Sequence, residues 1–468
     1  MPTDEVKRIN PFDWSKEFEP VMAAGGFDAV IGNPPYVRQE SLKEQKKYFE
    51  THYAVYQGAA DLYSYFIEKG ISLLNPKGLF SYIVANKWMR ANYGKPLRKF
   101  LLTKQIEEVV DFGDLPVFKT ATTYPCIIRV SNEMPVREFC ASKVEALDFP
   151  SLDEYVMANW HPIEQGTLTD EGWTLGDQGT ENLLKKLKIM GCPLEEYVNG
   201  QMYRGVTTGF NEAFVIDEKT RSQLIDEDQR SGEIIKPFLI GRNVKRYEPP
   251  NNQNIFIIFT FHGIDIQQYP AILKYLKQFK EKLMPKPLDY KGEDWAGRKA
   301  GFYKWYEIQD KIDYYSDFEK PKIVIPQIVK RASYTFDRDG FFTNDKTSII
   351  PKNDLYLLGL LNSNLLDFVM SSISSTKQGG YYEYKPMYVS KIPIRTINPN
   401  DPADVARHDR MVALVTQMLD LNKKLQDARL EQERTMLSRQ IEATDASINK
   451  LVYELYGLTE EEIKIIEG

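Results

Sequence analysis

"FDAVIGNPPYV", residues 27–37, decides the fold of the first part of the chain. A short apolar run ends at Gly32 in turn residues, which is the pattern of a buried strand in a parallel-type sheet. Two consecutive prolines follow, and a proline has no N–H to give to a strand or a helix. The residue before a proline is also displaced from the α conformation. The pattern predicts a strand that stops at Gly32 and presents an amide, two rigid prolines and a phenol ring.

Strands and helices alternate beyond this stretch. Apolar residues follow helical spacing from Asp61 to Leu74, and Asn75-Pro76-Lys77-Gly78 is expected to break that helix. A second helix is predicted over 94–102. The further predicted strands cover 79–84, 106–112 and 126–130. Such alternation is typical of βαβ units, so we predict an α/β fold whose parallel sheet has helices on both faces.

The chain is too long, at 468 residues, for one compact core, and we expect two or three domains. The alternation loosens near 150–175, and later strands such as 255–260 and 322–325 lie among aromatic, lysine-rich loops. Residues 404–450 combine apolar periodicity with many charges, which favours a long helical hairpin with a solvated coiled-coil face, closed by 451–466. The predicted domains are 1–150, 151–403 and 404–468.

Composition narrows the class of protein. An apolar fraction of 42% with 27% charged residues is typical of a soluble globular chain. We find no window with the pattern of a membrane span and no signal peptide, and therefore expect a cytoplasmic protein. The three cysteines and four histidines are scattered, so neither a metal site nor a Ser-His-Asp triad is predicted. A net charge of −6 argues mildly against extensive nucleic-acid binding but leaves room for a local basic face.

The end of the predicted strand carries the groups that a planar amine needs in order to become a nucleophile. In adenine the N6 lone pair is delocalised, and two acceptors holding both N6 hydrogens would draw the nitrogen toward tetrahedral geometry. The Asn33 side-chain oxygen and the Pro34 carbonyl could be these acceptors, held rigidly by Pro35. Tyr36 offers a flat face for a base that has left the duplex. Ligands of open α/β sheets bind at such strand ends, although a stiff Pro-Pro loop without function is the alternative.

The motif and its surroundings resemble a known family. "FDAVIGNPPYVR" resembles the catalytic motif of the amino-group DNA methyltransferases, in the version typical of adenine-N6 enzymes. "DLYSYFIEKGISLLNPKGLFSYIVANKWM" (61–89) and "LPVFKTATTYPCIIRV" (115–130) resemble later segments of the gamma-ordered group, which includes the TaqI-like and Eco57I-like restriction–modification proteins. "IIKPFLIGRNVKRYEP" (234–249) and "GGYYEYKPMYVSKIPI" (379–394) resemble the target-recognition domain of the Eco57I-like proteins.

This resemblance implies a fold and an activity. The fold would be a partial Rossmann-like methyltransferase sheet, followed by an α+β target-recognition domain and a C-terminal helical hairpin. The activity would be site-specific adenine-N6 methylation of DNA with S-adenosyl-L-methionine as cofactor. Leu62 and Phe66 would line the adenine end of the cofactor, and Phe118 would stack on the flipped base opposite Tyr36. Ordinary core packing remains the alternative for Leu62, Phe66 and Phe118.

Basic residues with neighbouring aromatics form three groups in the C-terminal region. Basic side chains clamp phosphates and rings pack on sugars or bases, so we predict double-stranded DNA as a partner. A solvated face is the alternative for each group alone. The candidate DNA-binding residues are Lys236, Arg242, Lys245 and Arg246 in the first group, Lys330 and Arg331 in the second group, and Lys377, Tyr381 and Lys385 in the third group. The second group also contains Lys322, and the third also contains Lys391, Arg395, Tyr382 and Tyr384.

One part that the resemblance implies is missing before Asn33-Pro34-Pro35-Tyr36, the NPPY motif. Family order puts the methionine-binding part of the cofactor site upstream of that motif, and only 32 residues precede Asn33. We therefore expect a fragment or split subunit, inactive alone, whose missing half comes from an upstream polypeptide and whose half-sheet has an exposed apolar edge. Two other interpretations stay open. One is an idle DNA-recognition module, and the other is a methyltransferase for another planar amide or amine, such as a glutamine side chain.

Overall fold

A computed structural model describes residues 12–118, 124–135, 138–173, 175–176, 178–251, 254–292, 294–377 and 379–467. The strands, in chain order, are β1 Phe27–Gly32, β2 Leu74–Ala85, β3 Gln105–Asp111, β4 Pro125–Ser131, β5 Phe139–Lys143, β6 His161–Ile163, β7 Cys192–Pro193, β8 Tyr203–Arg204, β9 Val215–Asp217, β10 Ile235–Leu239, β11 Ile255–Ile258, β12 Lys322–Pro326, β13 Ile328–Val329, β14 Thr335–Asp337, β15 Phe342–Thr343, β16 Thr347–Ile350, β17 Thr376–Lys377, β18 Tyr381–Glu383 and β19 Pro393–Ile394.

The helices, in chain order, are α1 Trp14–Glu17, α2 Glu19–Ala23, α3 Lys46–His52, α4 Tyr63–Ser72, α5 Lys95–Leu101, α6 Leu152–Asn159, α7 Gln178–Met190, α8 Leu194–Tyr197, α9 Asn211–Phe214, α10 Glu218–Glu227, α11 Ser231–Ile234, α12 Pro270–Lys277, α13 Lys280–Leu283, α14 Leu355–Leu361, α15 Asn364–Ile373, α16 Pro386–Val389, α17 Pro402–Asp427, α18 Glu431–Leu455 and α19 Glu460–Glu467.

The chain forms two compact units. The first contains residues 1–184 and 372–380, and the second contains 185–371 and 381–468. The predicted division at 150 and 403 stays a prediction. The mixed α/β character predicted from the sequence is confirmed, because each unit combines sheets with packed helices.

A mixed sheet of order β1-β2-β4-β3-β5-β6 forms the centre of the first unit. The pairs β1–β2 and β3–β5 are parallel, as expected. The expectation of a parallel sheet was wrong for two strands, because β4 lies antiparallel between β2 and β3 and β6 is antiparallel to β5. Parallel neighbours need a long crossover, usually a helix, and the described residues between β3 and β4 form turns and extended chain.

The break predicted at Asn75–Gly78 lies inside a strand. Helix α4 ends at Ser72, and β2 begins two residues later. The pairing with β1 then jumps, since Phe27 is opposite Leu74 whereas Ala29 is opposite Leu79. Asn75–Gly78 therefore forms an irregularity of the ladder, where its turn residues interrupt the pairing without ending the strand.

Two features of the first unit position the NPPY motif. Apolar side chains of β2 and β4, such as Phe80 and Ile128, are fully buried in one core with residues of α4 and α5. Within the described residues β1 pairs with β2 alone and so forms the edge of the sheet. The Ile31 side chain near its end is 86% exposed.

The second unit contains several small sheets. One has the order β15-β10-β11-β9, a second has the order β14-β12-β16-β8, and β13 pairs with β18 and β7 with β19. The helices α17 and α18 pack on each other through residues such as Leu421 and Leu437, so the predicted helical hairpin is confirmed. Asp401 caps α17 by accepting the Ala403 N–H.

The described helices are short or polar relative to a membrane span. None is by itself long and apolar enough to cross a bilayer. Only the bent pair α14 and α15 meets the test jointly, by length and composition, and most of its leucines are buried inside the second unit.

Candidate active site

The carboxyl end of β1 delivers the NPPY motif to the edge of the first sheet. Gly32 pairs with Tyr82 on the parallel strand β2, and a Cβ at Gly32 would lie 2.9 Å from the Tyr82 ring. The lack of a side chain at Gly32 thus permits this close approach. Pro34 is buried, whereas Asn33 and Pro35 are exposed. The strand therefore ends on a buried proline that anchors the chain beside an accessible amide.

Tyr36 is held by contacts on two sides. Its phenol O–H donates to the Ile83 carbonyl at 3.3 Å, and its ring meets Phe118 edge to face with ring centroids 6.3 Å apart. Burial, and next the Cys126 thiol, raise the pKa of Tyr36 to about 12, so the phenol is neutral at physiological pH. The structure thus brings together Tyr36 and Phe118. Because the rings touch, a base that stacks between them would have to separate them.

A buried polar network lies at the carboxyl ends of β2 and β3. The Asn86 side-chain amide donates to the Asp111 carboxylate at 2.7 Å and to the Gly113 carbonyl at 3.3 Å. Asp111 also accepts the Gly113 N–H at 3.0 Å and lies 3.8 Å from the Arg90 guanidinium. The network fixes the start of the loop that leads to Phe118. This network was not predicted from the sequence, although a polar residue at or just after a predicted strand end was the available signal.

A segment from late in the chain reaches the same loop. Residues 372–380 belong to the first unit, and the Gly380 N–H donates to the Asp114 carboxylate at 2.9 Å. Gly379 has φ +81° and Gly380 has φ +73°, values that favour glycine. The loop between β3 and Phe118 is thus contacted by residues that are far away in sequence.

The two candidate cofactor contacts lie at the start of α4 and differ in accessibility. The Leu62 side chain is half-buried against the core of the first unit, and its N–H donates to the Val37 carbonyl at 3.0 Å. The Phe66 ring, one turn later, is 38% exposed. Phe66 is therefore available to a ligand, whereas Leu62 contributes mainly to the core.

The first group of candidate DNA-binding residues is largely engaged in ion pairs. Lys236 contacts Glu319 at 2.7 Å, and Lys245 contacts Glu248 at 3.6 Å. Arg246 donates to the Asn362 carbonyl and pairs with Asp445. Arg242 is exposed. The structure therefore leaves Arg242 and Lys245 as the accessible members, while Arg246 links parts of the second unit.

The second and third groups meet on a short antiparallel ribbon formed by β13 and β18. The Lys330 ammonium lies 5.2 Å from the Tyr381 ring centroid, and the Tyr381 ring is 39% exposed. Arg331 is exposed beside Asn364, and Lys385 pairs with Glu383 at 3.1 Å. Lys377 lies on β17 in the first unit. A cation and an aromatic ring are thus adjacent on an accessible surface.

Two further basic residues of the second and third groups form ion pairs with buried carboxylates. The prediction was wrong for Lys322, which is fully buried and paired with the equally buried Asp337. Its ammonium also donates to the Phe318 carbonyl. Arg395 pairs with the buried Asp404 at 3.2 Å. A lysine can be buried when a carboxylate pairs with it in the core. The local sequence does not show that partner, because it comes from another part of the chain.

Two family models match separate parts of the chain. Residues 2–118 match the Eco57I restriction-modification methylase, and residues 236–394 match the TaqI-like C-terminal specificity domain. These matches confirm the Eco57I-like and TaqI-like resemblance found in the sequence, with one family model in each part of the chain. The NPPY motif and Phe118 lie within the first match, and Arg242, Lys330 and Tyr381 lie within the second.

Relatives extend the similarity over most of the chain. The chain is 26% identical to the type II methyltransferase M.BstVI of Geobacillus stearothermophilus, over 94% of this chain and 75% of that protein. It is 24% identical to M.PaeR7I of Pseudomonas aeruginosa, over 95% of this chain and 73% of that one. The fold matches the type IIL restriction-modification enzyme MmeI, solved in complex with DNA, with a TM-score of 0.64 and 16% identity over 97% of this chain and 57% of that chain. None of these three similarities supports a separate upstream polypeptide, which stays a prediction.

Proposed function

We propose that this chain methylates adenine N6 at specific DNA sites, using S-adenosyl-L-methionine, within a restriction–modification system. The observation that carries the proposal is the exposed Asn33 amide at the end of β1, followed by Tyr36 in contact with Phe118. An accessible amide, a rigid proline carbonyl and two aromatic rings at one strand end match the needs of a flipped base.

The residues of the motif would each have one task. Asn33 and the Pro34 carbonyl accept the two hydrogens of the N6 amine, which localises the lone pair and stabilises positive charge in the transition state. The buried Pro34 ring keeps its carbonyl in place, so little reorganisation is needed. Tyr36 stacks on the base as a neutral ring, because burial raises the pKa of Tyr36 to about 12. Phe118 would move aside from Tyr36 and cover the other face.

The described residues fit the cofactor in part. The exposed Phe66 ring on α4 could cover the purine of S-adenosyl-L-methionine, with Leu62 behind it at the core boundary. When bound, the cofactor supplies an electrophilic methyl group. Because β1 pairs only with β2 within the described residues, its other edge can accept a further strand. We propose that such a strand belongs to the methyl-donor side, and an upstream polypeptide is one way to supply it.

DNA contact is proposed for the second unit. The TaqI-like specificity match covers the ribbon with Lys330 and Tyr381, where the cation lies over the ring and both are at the surface. The fold shared with MmeI, which was solved in complex with DNA, supports the same assignment. Arg242, Lys245 and Arg331 add accessible positive charge for phosphates.

Replacement of Asn33 tests the proposal. Methyl transfer from labelled S-adenosyl-L-methionine to genomic DNA would be measured with the chain alone and with the chain joined to any coding sequence that precedes it. We expect Asn33→Ala to lower the rate about a hundredfold or more, while the affinity for duplex DNA is unchanged. Asn400→Ala, an exposed asparagine of the second unit, is the matched control. Undiminished methyl transfer by Asn33→Ala would contradict the role of the amide. If the natural chain, alone and joined to the preceding sequence, binds DNA but transfers no methyl group, the idle recognition module is favoured.

A further inference from the structure

The loop from Met284 to Lys304 in the second unit presents apolar side chains that the core does not use. Phe302 is 92% exposed and Leu288 is 77% exposed, and Met284 and Tyr290 are also accessible. Single exposed apolar residues are common on protein surfaces, whereas four accessible apolar side chains on one loop make that loop a candidate interaction site. None of these residues belongs to the basic groups identified from the sequence.

The loop is a built structure, because a buried arginine holds its base. Arg298 is 3% exposed, and its guanidinium donates to backbone carbonyls of three neighbouring segments. The accepting carbonyls belong to Leu283 at 2.9 Å, Thr208 at 2.8 Å, Glu307 at 2.7 Å and Trp305 at 3.0 Å. Burial lowers the pKa of Arg298 to about 10, so the guanidinium remains charged at neutral pH and keeps all these bonds.

Backbone bonds complete the support. The Arg298 N–H donates to the Met284 carbonyl, and the Lys286 N–H donates to the Arg298 carbonyl, at 2.9 and 3.0 Å. The Trp295 indole N–H donates to the Met284 carbonyl as well. Phe302 thus projects from a loop whose base is already ordered, and little conformational entropy is lost when it binds a partner.

The charge of the loop identifies the kind of partner. Between Lys280 and Lys304 the sequence contains seven Lys or Arg and four Asp or Glu, in a chain whose net charge is −6. Lys299 and Lys304, on either side of Phe302, are both exposed. A second copy of the same loop would bring like charges together, which is unfavourable. Duplex DNA offers partners to both kinds of side chain. Its phosphates attract the lysines, and its stacked bases can contact the ring of Phe302.

We propose that this loop is a DNA-contacting element in which Phe302 enters a groove of the duplex as an apolar wedge while Lys299 and Lys304 contact the flanking phosphates. The proposal rests on the proposed DNA function and adds to it a contact that the NPPY and specificity motifs do not contain. Apolar side chains inserted between base steps unstack them and bend the duplex, and each lysine at a phosphate releases counterions.

The inference is tested by measuring, at several salt concentrations, how tightly the full chain binds an end-labelled duplex of mixed sequence. We expect Phe302→Ala to weaken binding about tenfold, because one ring loses its contact with the bases. Phe302→Trp keeps an aromatic ring and should bind like the natural chain. Lys299→Gln and Lys304→Gln should each reduce the slope of log affinity against log salt by about 0.9. Energy transfer between dyes at the two duplex ends should report bending by the natural chain and by Phe302→Trp, but not by Phe302→Ala.

Ile189→Ala, which removes an 87% exposed apolar side chain elsewhere in the second unit, is the matched control and should bind like the natural chain. Equal affinity, slope and bending for Phe302→Ala and the natural chain would overturn the inference and leave the proposed function standing. Failure of the natural chain to bind any duplex would instead overturn the proposed function. If Phe302→Ala changes the oligomeric state of the chain but not its affinity for DNA, the loop binds a protein partner and the inference is overturned.

Discussion

The phenol of Tyr36 donates to the backbone carbonyl of Ile83 at 3.3 Å, which joins the end of the NPPY motif to the neighbouring parallel strand. The bond orients the ring from its polar end and leaves the face of the ring for aromatic contact with Phe118. The hydroxyl therefore has a positioning role and the ring carries the binding role. The two roles can be separated by substitution.

Tyr36→Phe and Tyr36→Ala should have very different consequences. Tyr36→Phe removes the bond to Ile83 but keeps the ring, so we expect methyl transfer to genomic DNA to fall by less than about fivefold, the cost of one neutral hydrogen bond. Tyr36→Ala removes the stacking face and should reduce transfer by about tenfold or more. Steady-state assays with labelled methyl donor measure both. Equal losses in the two variants would show that the hydroxyl, not the ring, is essential.

Two adjacent glycines before β1 make a matched pair for stability measurements. Gly25 has φ +102° with open space around a Cβ position, whereas at Gly26, with φ +122°, a Cβ would lie 2.5 Å from the Leu73 carbonyl oxygen. Gly25→Ala should lower the free energy of unfolding by about 1 kcal/mol through backbone strain alone. Gly26→Ala should lower it by about 3 kcal/mol or more, because backbone must also move. Urea denaturation compares them, and equal effects would contradict the steric argument.

The buried pair of Lys322 and Asp337 predicts strong coupling between two substitutions. Asp337 also accepts the Phe341 N–H at 2.9 Å, and burial lowers the pKa of Lys322 while Asp337 counteracts that change. Lys322→Met should cost about 3–5 kcal/mol, because it leaves a buried carboxylate without its cation. The variant that also carries Asp337→Asn should be less destabilised than the sum of the two single changes. Additive effects in a urea-based double-mutant cycle would contradict the coupling.

Asp404 predicts a loss of stability in acid. Burial alone would raise its pKa, but hydrogen bonds from the Asn398 N–H and Arg407, together with the charge of Arg395, lower the pKa of this carboxyl. A lowered pKa stabilises the folded state above the unfolded value of about 3.9, and that contribution is lost as the pH falls through the folded value. Asp404→Asn should reduce the free energy of unfolding by about 2 kcal/mol at neutral pH.

The acid dependence of Asp404→Asn supplies the critical comparison. Its stability should fall less steeply below about pH 4 than that of the natural chain, because one carboxyl no longer takes up a proton. Asp409→Asn, at a carboxyl that is 73% exposed on the same helix, is the control. Chemical denaturation at several pH values measures these slopes. Parallel curves for the natural chain and Asp404→Asn would contradict the assignment.

Local patterns in the sequence were enough for much of the fold. The strand ending at Gly32 was predicted at its observed position, because its apolar run and the prolines act within a few residues. Its predicted burial was wrong, because β1 lies at the edge of the sheet and none of its residues is buried. The helical hairpin of α17 and α18 was likewise predicted from its own periodicity. The antiparallel direction of β4 was not predicted, because strand direction depends on the connection and on the neighbouring strands and not on the residues of β4.

The candidate site was only partly predictable for the same reason. The NPPY motif is contiguous, and its chemistry could be argued from four adjacent residues. The Asn86–Asp111 hydrogen bond joins the ends of two strands and has no local signal beyond the polarity of each residue. Lys322 was predicted to be a surface cation from its neighbours in sequence, but it pairs with Asp337 in the core of the second unit.

Residues 372–380 have a practical consequence for anyone who dissects this chain. The first unit is compact in space but discontinuous in the gene, since these residues are encoded between two parts of the second unit. A truncation after residue 184 would remove Gly380 as a donor to Asp114. Recombination that exchanges the later part of the gene between relatives would likewise replace a piece of the unit that holds the NPPY motif. Exchange of recognition specificity and preservation of the first unit are therefore not independent in this architecture.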